Sequence, residues 1–195
     1  MFNLVIFGAP GAGKGTQAQK LIEKYNPVHL STGDMLREEM RNGTSPGNQI
    51  KELIEKGELV PDETVIEMIR RKIHKNKDAC GFVFDGFPRT VEQAKALDAM
   101  LEEEGSAINM MITLEVEENT LIERIMKRGE ISGRADDTNS ETIKNRIKVY
   151  TEKTLPVVEY YKKQGKHISI DNMSPPEITF EKLSYHVNKS INKDL

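Results

Sequence analysis

The stretch Phe2-Asn3-Leu4-Val5-Ile6-Phe7-Gly8-Ala9-Pro10-Gly11-Ala12-Gly13-Lys14-Gly15-Thr16 decides the fold. Six mostly apolar residues read as a strand buried on both faces, a G-x-x-x-x-G-K turn follows, and Gln17, Leu21, Ile22 and Tyr25 continue as a helical run. Glycines let consecutive backbone N–H groups turn inward, the helix N-terminus adds positive potential, and Lys14 brings a mobile point charge. Together they make a cradle for phosphate. The residue after the lysine is Gly15, where Ser or Thr usually offers magnesium a hydroxyl, and Thr16 comes one place late. Magnesium is therefore expected to be held mainly through water.

Outward from this turn, residues 28–30, 82–84, 110–114 and 167–170 are short apolar runs closed by turn signals and read as further buried strands. Helical patterns lie between them. Thr90 with Gln93 and Thr138 with Glu141 have capping-box spacing, Pro61 suits a first helical turn, and Gly57 and Gly105 stand where helices stop. The order strand, helix, strand implies α/β architecture: a parallel sheet with helices on both faces, ligands binding beyond the carboxyl ends of its strands.

A chain of 195 residues with 37% hydrophobic content predicts one globular domain, without repeats or linkers that would divide it. No apolar run approaches the ~20 residues of a bilayer crossing, so no membrane partner is expected. Lys plus Arg number 28 against 31 Asp plus Glu, a net charge of −3, which argues against a general nucleic-acid surface. Any polyphosphate binding must be local. The lone Cys80 can form no internal disulfide or cysteine-rich zinc site, fits a reducing compartment, and reads as a small core residue. Met1 runs into an apolar segment with no basic region or cleavage site, so cytoplasm is the expected location.

Cations stand where a phosphate site would use them: Lys14, Arg37, Arg89, Arg124, Arg128, Arg134 and Arg146. Arg124 and Arg128 share a helical face, Arg134 follows the turn expected at 129–133, and Asp136 and Asp137 are placed to orient the guanidiniums. Asp85 closes a strand beside the glycine turn, either as a water-mediated ligand for Mg²⁺ or as a cap for the turn at Gly86. No Ser/His/Asp set is present, and His29, His74, His167 and His186 lie outside every motif. Phosphoryl transfer asks for positioning and positive charge rather than a protein nucleophile.

These residues resemble the nucleoside monophosphate kinases, and within them the adenylate kinase branch with a short lid. The resemblance spans nearly the whole chain: the turn at 8–16, Ser31-Thr32-Gly33-Asp34-Met35-Leu36-Arg37, Gly57-Glu58-Leu59-Val60-Pro61-Asp62, Asp85-Gly86-Phe87-Pro88-Arg89 with Gln93, Lys127-Arg128-Gly129 through Arg134, Asp136 and Asp137, and Arg146. It implies a P-loop NTPase-like three-layer fold with a five-stranded parallel sheet. The core would comprise 1–30, 61–127 and 138–195, with a helical NMP-binding insertion at 31–60 and a lid at 128–137. It implies reversible, Mg²⁺-dependent transfer of the terminal phosphoryl of ATP to AMP, giving two ADP, by a monomer without structural zinc.

By the same resemblance, Gly11, Ala12, Gly13, Lys14, Gly15, Thr16, Arg124, Arg128 and Ser174 would bind ATP. Thr32, Arg37, Glu58, Leu59, Val60, Gly86, Phe87, Pro88, Arg89 and Gln93 would bind AMP. Lys14, Arg89, Arg128, Arg134 and Arg146 would carry catalysis, the last two stabilising the group in flight beside AMP. Thr32 and Gln93 favour AMP over the UMP and CMP of a related branch, which usually carries Ala at the position of Thr32. The loop at 171–176 replaces a glycine-containing loop of the family, with Ser174 its nearest match. A GTPase-like or ATPase-like binding switch is the alternative of another class. The guanine-reading N-K-x-D pattern is absent, since Asn76-Lys77-Asp78 and Asn192-Lys193-Asp194 each place the acid one position early.

Overall fold

A computed structural model describes residues 1–41 and 45–191; the rest of the expected insertion (42–44) and of the core (192–195, with the Asn192-Lys193-Asp194 pattern) lies outside the described residues. The strands are β1 Phe2–Phe7, β2 Val28–Ser31, β3 Gly81–Asp85, β4 Met110–Glu115 and β5 His167–Asp171. They form one all-parallel sheet in the order β2-β3-β1-β4-β5. The helices are α1 Lys14–Tyr25, α2 Thr32–Arg41, α3 Ser45–Glu55, α4 Asp62–Lys75, α5 Val91–Glu103, α6 Glu118–Ser132, α7 Ser140–Val149, α8 Pro156–Lys163 and α9 Pro176–Ile191.

Because successive strand residues face opposite sides, β1 feeds two cores. Leu4 and Ile6 join Val83, Ile112 and Leu114 against Ala18 and Leu21 of α1, Leu121 of α6, and Leu183 and Val187 of α9. Val5 and Phe7 join Phe82, Phe84 and Met111 against Ile69 of α4, Leu97 and Leu101 of α5, and Val157 and Tyr161 of α8. Each fully buried Leu or Ile contributes on the order of 2 kcal/mol. The one polar residue inside β1, Asn3, is fully buried and satisfied: it donates to Ser106 Oγ and the Ala107 carbonyl and accepts from the Phe82 N–H.

Chain order places β2 and β3 on one side of β1 and β4 and β5 on the other, so a crevice opens beyond the end of β1. The register pairs Asp85 with both Ile6 and Ser31, which sets that carboxylate level with the start of the glycine turn.

Several local readings are corrected. Glu141 is capped by Asn139, whose Oδ1 accepts its N–H at 2.8 Å, while Thr138 bonds back to the Ala135 carbonyl. Asn leads Thr at this position because its oxygen reaches the helix N–H from an extended backbone. Thr90 does cap α5, but Gln93 returns its bond to the Arg89 N–H rather than to Thr90. Pro61 sits just ahead of α4, not inside it. The turn expected at 129–133 is helix as far as Ser132, with Gly133 ending α6 in the left-handed conformation. Cys80 is exposed, because the chain emerges at the amino end of β3 before the sheet covers it.

Candidate active site

A cleft of about 660 Å³ opens at the carboxyl ends of β1, β2 and β3. It is lined by Gly11, Gly13, Lys14, Gly15, Thr16, Thr32, Arg37, Glu58, Leu59, Val60, Asp85, Gly86, Phe87, Pro88, Arg89, Gln93, Arg124, Arg128, Arg134 and Arg146. Residues scattered over more than half the chain thus meet in one place. Ala12 and Ser174 do not line it. Ala12 is buried, and its N–H is used inside the turn on the Ala9 carbonyl.

The glycine turn is held from behind. Asn172, buried in the loop after β5, donates from Nδ2 to the Ala12 carbonyl at 2.6 Å and accepts from Thr179 Oγ1 at 2.7 Å. Gly13 begins α1 at φ 85°, and a Cβ there would lie 2.7 Å from Asn172 Nδ2. Only glycine fits. Lys14 folds over the turn, donating to the Gly8 and Ala9 carbonyls at 2.8 and 2.9 Å. Burial pushes its ammonium down to about 8, helped by Arg89, Arg128 and Arg146 and opposed by Asp85.

Asp85 faces the cradle from β3. Burial works to raise its carboxyl, yet His29 and Lys14 beside it bring it below the ordinary range. His29 of β2 stands with its buried Nε2 3.5 Å from Asp85 Oδ2, so one histidine outside the motifs does reach the site. Among the described residues, no group of three or more His, Cys, Asp or Glu converges on a metal position. A single carboxylate beside a phosphate cradle is nevertheless a donor set that fits Mg²⁺, which keeps several waters and draws other ligands from phosphate.

Opposite the cradle lies a pool of guanidiniums. Asp137, whose side chain is fully buried, accepts from Arg128 Nε at 2.7 Å and from Arg146 Nη1 at 2.5 Å. Asp136 takes Arg134 Nη2 at 2.9 Å and Arg146 Nη1 at 2.8 Å. Burial would raise both carboxyls, but the guanidiniums bonded to them hold both below the usual range. The expected orienting role of these two aspartates is what the geometry displays. Among the described residues no carboxylate forms an ion pair with Arg89: its Nε donates to the Gly86 carbonyl at 2.8 Å, and burial, with Arg146 and Arg134 nearby and Asp85 opposing, pushes it down to about 10. Arg37 pairs with Asp34, and Arg124 Nη2 donates to the Asn172 carbonyl at 3.1 Å.

The other end of the cleft is built from Thr32, Gly86 and Gln93. Thr32 Oγ1 donates to the Gly86 carbonyl at 2.8 Å, and a Cβ on Gly86, at φ 75°, would lie 2.8 Å from that oxygen. Gln93, 2% exposed, donates from Nε2 to Asp62 Oδ1 at 2.8 Å. Thr179 and Tyr150, which also lines the cleft, stand outside every motif, while Asp62 and Asn172 fall within the stretch 57–62 and the loop 171–176 but carry no role that the sequence assigns. Their pairings span up to 160 residues, so no local spacing announces them.

A glycine turn at the switch point of a parallel sheet, faced by guanidiniums fixed on buried carboxylates, defines a phosphotransferase of the nucleotide-binding α/β class. Comparison with known proteins narrows the class. A family model described as adenylate kinase matches residues 6–166. A protein named adenylate kinase from Parabacteroides distasonis is 50% identical over 188 residues, 96% of this chain and 98% of its own. Similar proteins of that name come from Flavobacterium johnsoniae, 46% identical over 94% of this chain and 97% of its own, and from Caulobacter sp., 47% over 90% and 92%. The chain belongs to the adenylate kinase family.

Proposed function

We propose that the chain transfers the terminal phosphoryl group of Mg·ATP directly to AMP, reversibly, giving two ADP. One observation carries this reading: a single continuous cleft holds the phosphate cradle at one end, the Thr32, Gly86 and Gln93 wall at the other, and the guanidiniums between. Residues 11–16 and Lys14 bind the ATP phosphates, with Arg124 and Arg128 beside the nucleotide. Arg37 and Arg89 take the AMP phosphate, against the wall that includes Glu58, Leu59, Val60, Phe87 and Pro88.

Arg134 and Arg146 face the group in transit, held in orientation by Asp136 and Asp137, so their positive charge meets the developing negative charge without reorganisation. Asp85 would hold Mg²⁺, which would supply neutralisation of charge on the phosphates. Ser174 follows the Asn172 clamp and stays assigned to the ATP base only by family position.

The insertion 31–60 and the lid 128–137 close over the nucleotides and exclude water that would otherwise hydrolyse ATP. In the structure described, the end of α3 rests on α7: Thr142 Oγ1 and Asn145 Nδ2 donate to the Glu55 and Lys56 carbonyls. The reading further has the chain act alone, since one chain builds both ends of the cleft, and in a reducing cytoplasm, which suits its exposed Cys80.

The test is ADP formation from Mg·ATP with AMP, CMP, UMP and GMP in turn, with free phosphate measured in parallel. AMP-dependent ADP formation without phosphate release is expected. Preference for CMP or UMP would move the chain to the pyrimidine branch, and phosphate release independent of any acceptor would overturn direct transfer.

A further inference from the structure

We propose that Asp62 decides which purine monophosphate is accepted, by locking the Gln93 amide in one of its two orientations; this deepens, and rests on, the reading of Gln93 as the contact to the acceptor base. Asp62 opens α4, and its carboxylate takes Gln93 Nε2–H on Oδ1 at 2.8 Å and Thr90 Oγ1–H on Oδ2 at 2.7 Å. From the other side the Arg89 N–H donates to Gln93 Oε1 at 2.7 Å. A carboxylate only accepts and a backbone N–H only donates, so the two neighbours leave the amide no ambiguity. Turning it over would set oxygen against the Asp62 carboxylate and NH₂ against the Arg89 N–H.

What the lock leaves free is one N–H and one oxygen lone pair on a side chain that lines the cleft. The adenine edge offers an amino donor at C6 beside an acceptor at N1, which this pair matches. A 6-oxopurine offers an acceptor at C6 beside a donor at N1, which in the same seat requires the inverted amide. Hypoxanthine carries no added amino group, so size does not exclude it. Discrimination between the two bases therefore belongs to the pair that forbids inversion, the Asp62 carboxylate and the Arg89 N–H, of which Asp62 is the member a side-chain substitution removes. Asp62 is a positioning residue, touching Gln93 and not the base.

The experiment measures kcat/KM for AMP and for inosine monophosphate, with Mg·ATP, in the wild type and in Asp62→Ala, Asp62→Glu, Asp62→Asn and Gln93→Ala. Asp62→Glu keeps an acid in the first turn of α4, preserving the fold, but carries the carboxylate a methylene out of register. Both Asp62→Ala and Asp62→Glu are expected to lower the AMP-to-inosine-monophosphate ratio by ~10-fold through the acceptor KM, with the KM for ATP unchanged. Asp62→Asn, whose amide oxygen still accepts from Gln93 and whose NH₂ can reach Thr90 Oγ1, is expected to keep the ratio within ~3-fold. Thermal unfolding of each variant confirms the fold. An unchanged ratio in Asp62→Ala and Asp62→Glu, with a collapsed ratio in Gln93→Ala, overturns the lock alone. An unchanged ratio in Gln93→Ala overturns the base reading and the lock with it.

Discussion

Lys14 illustrates how one residue ties burial to function. Its value of about 8 in the folded chain lies below the 10.5 of an exposed lysine. Between those two pH values the unfolded chain binds more protons, so this group makes the nucleotide-free protein more stable as pH rises through the window. ATP binding goes the other way, because phosphate requires the protonated ammonium. Above pH 8 the affinity for ATP, measured calorimetrically without AMP, should fall by up to ~10-fold per pH unit. Lys14→Arg should flatten that profile while binding less well, since a planar guanidinium does not reproduce the two carbonyl contacts of the ammonium.

Lys14 was readable from the sequence because the glycine spacing and the preceding strand are contiguous. So were Arg128, Arg134 and Arg146 beside Asp136 and Asp137. Asn172, Asp62 and His29 were not. Each acts through a partner brought near only by the sheet crossovers: Ala12 for Asn172, Gln93 for Asp62, Asp85 for His29. Cys80 misled for a related reason, since small size suggests burial but its position at the amino end of β3 decides exposure.

Among the elements, α6 departs most from its expected form, running through 129–132 where a glycine-bearing turn was anticipated. Gly129 is there for packing. A Cβ at this position would lie 2.8 Å from the Asp137 carbonyl oxygen and 3.1 Å from Asp137 Cβ, so α6 rests directly on the short 3₁₀ turn Ala135–Asp137. In an ordinary helix interior, Gly→Ala stabilises by ~1 kcal/mol. Gly129→Ala should instead lower the unfolding temperature and reduce kcat, because backing α6 away pulls Asp137 off Arg128 and Arg146. Asp137→Asn should cost ~2–4 kcal/mol in chemical denaturation, as it removes the buried charge that Arg128, Arg134 and Arg146 share. Both carboxylates of this turn have folded values below their unfolded ones, so their contribution is present above about pH 4 and fades as acid protonates them.

At the scale of the molecule, a chain with net charge −3 lines one cleft with eight Lys and Arg against four carboxylates, so the cleft is locally positive while the rest of the chain, its charges mixed, is net negative. Anionic nucleotides are drawn to that cleft through a field that salt screens. Raising ionic strength from ~20 to ~200 mM should therefore increase KM for ATP and AMP ~3-fold or more while kcat changes little, since the reacting groups lie inside the screening distance. A parallel sheet also has two unlike ends. Chemistry occupies the carboxyl end, whereas Cys80 emerges at the amino end, a five-residue strand or ~17 Å from Asp85. A maleimide fluorophore or a gold surface attached through this single thiol should leave turnover at the wild-type rate, and every tethered molecule would present the same open mouth to the solution.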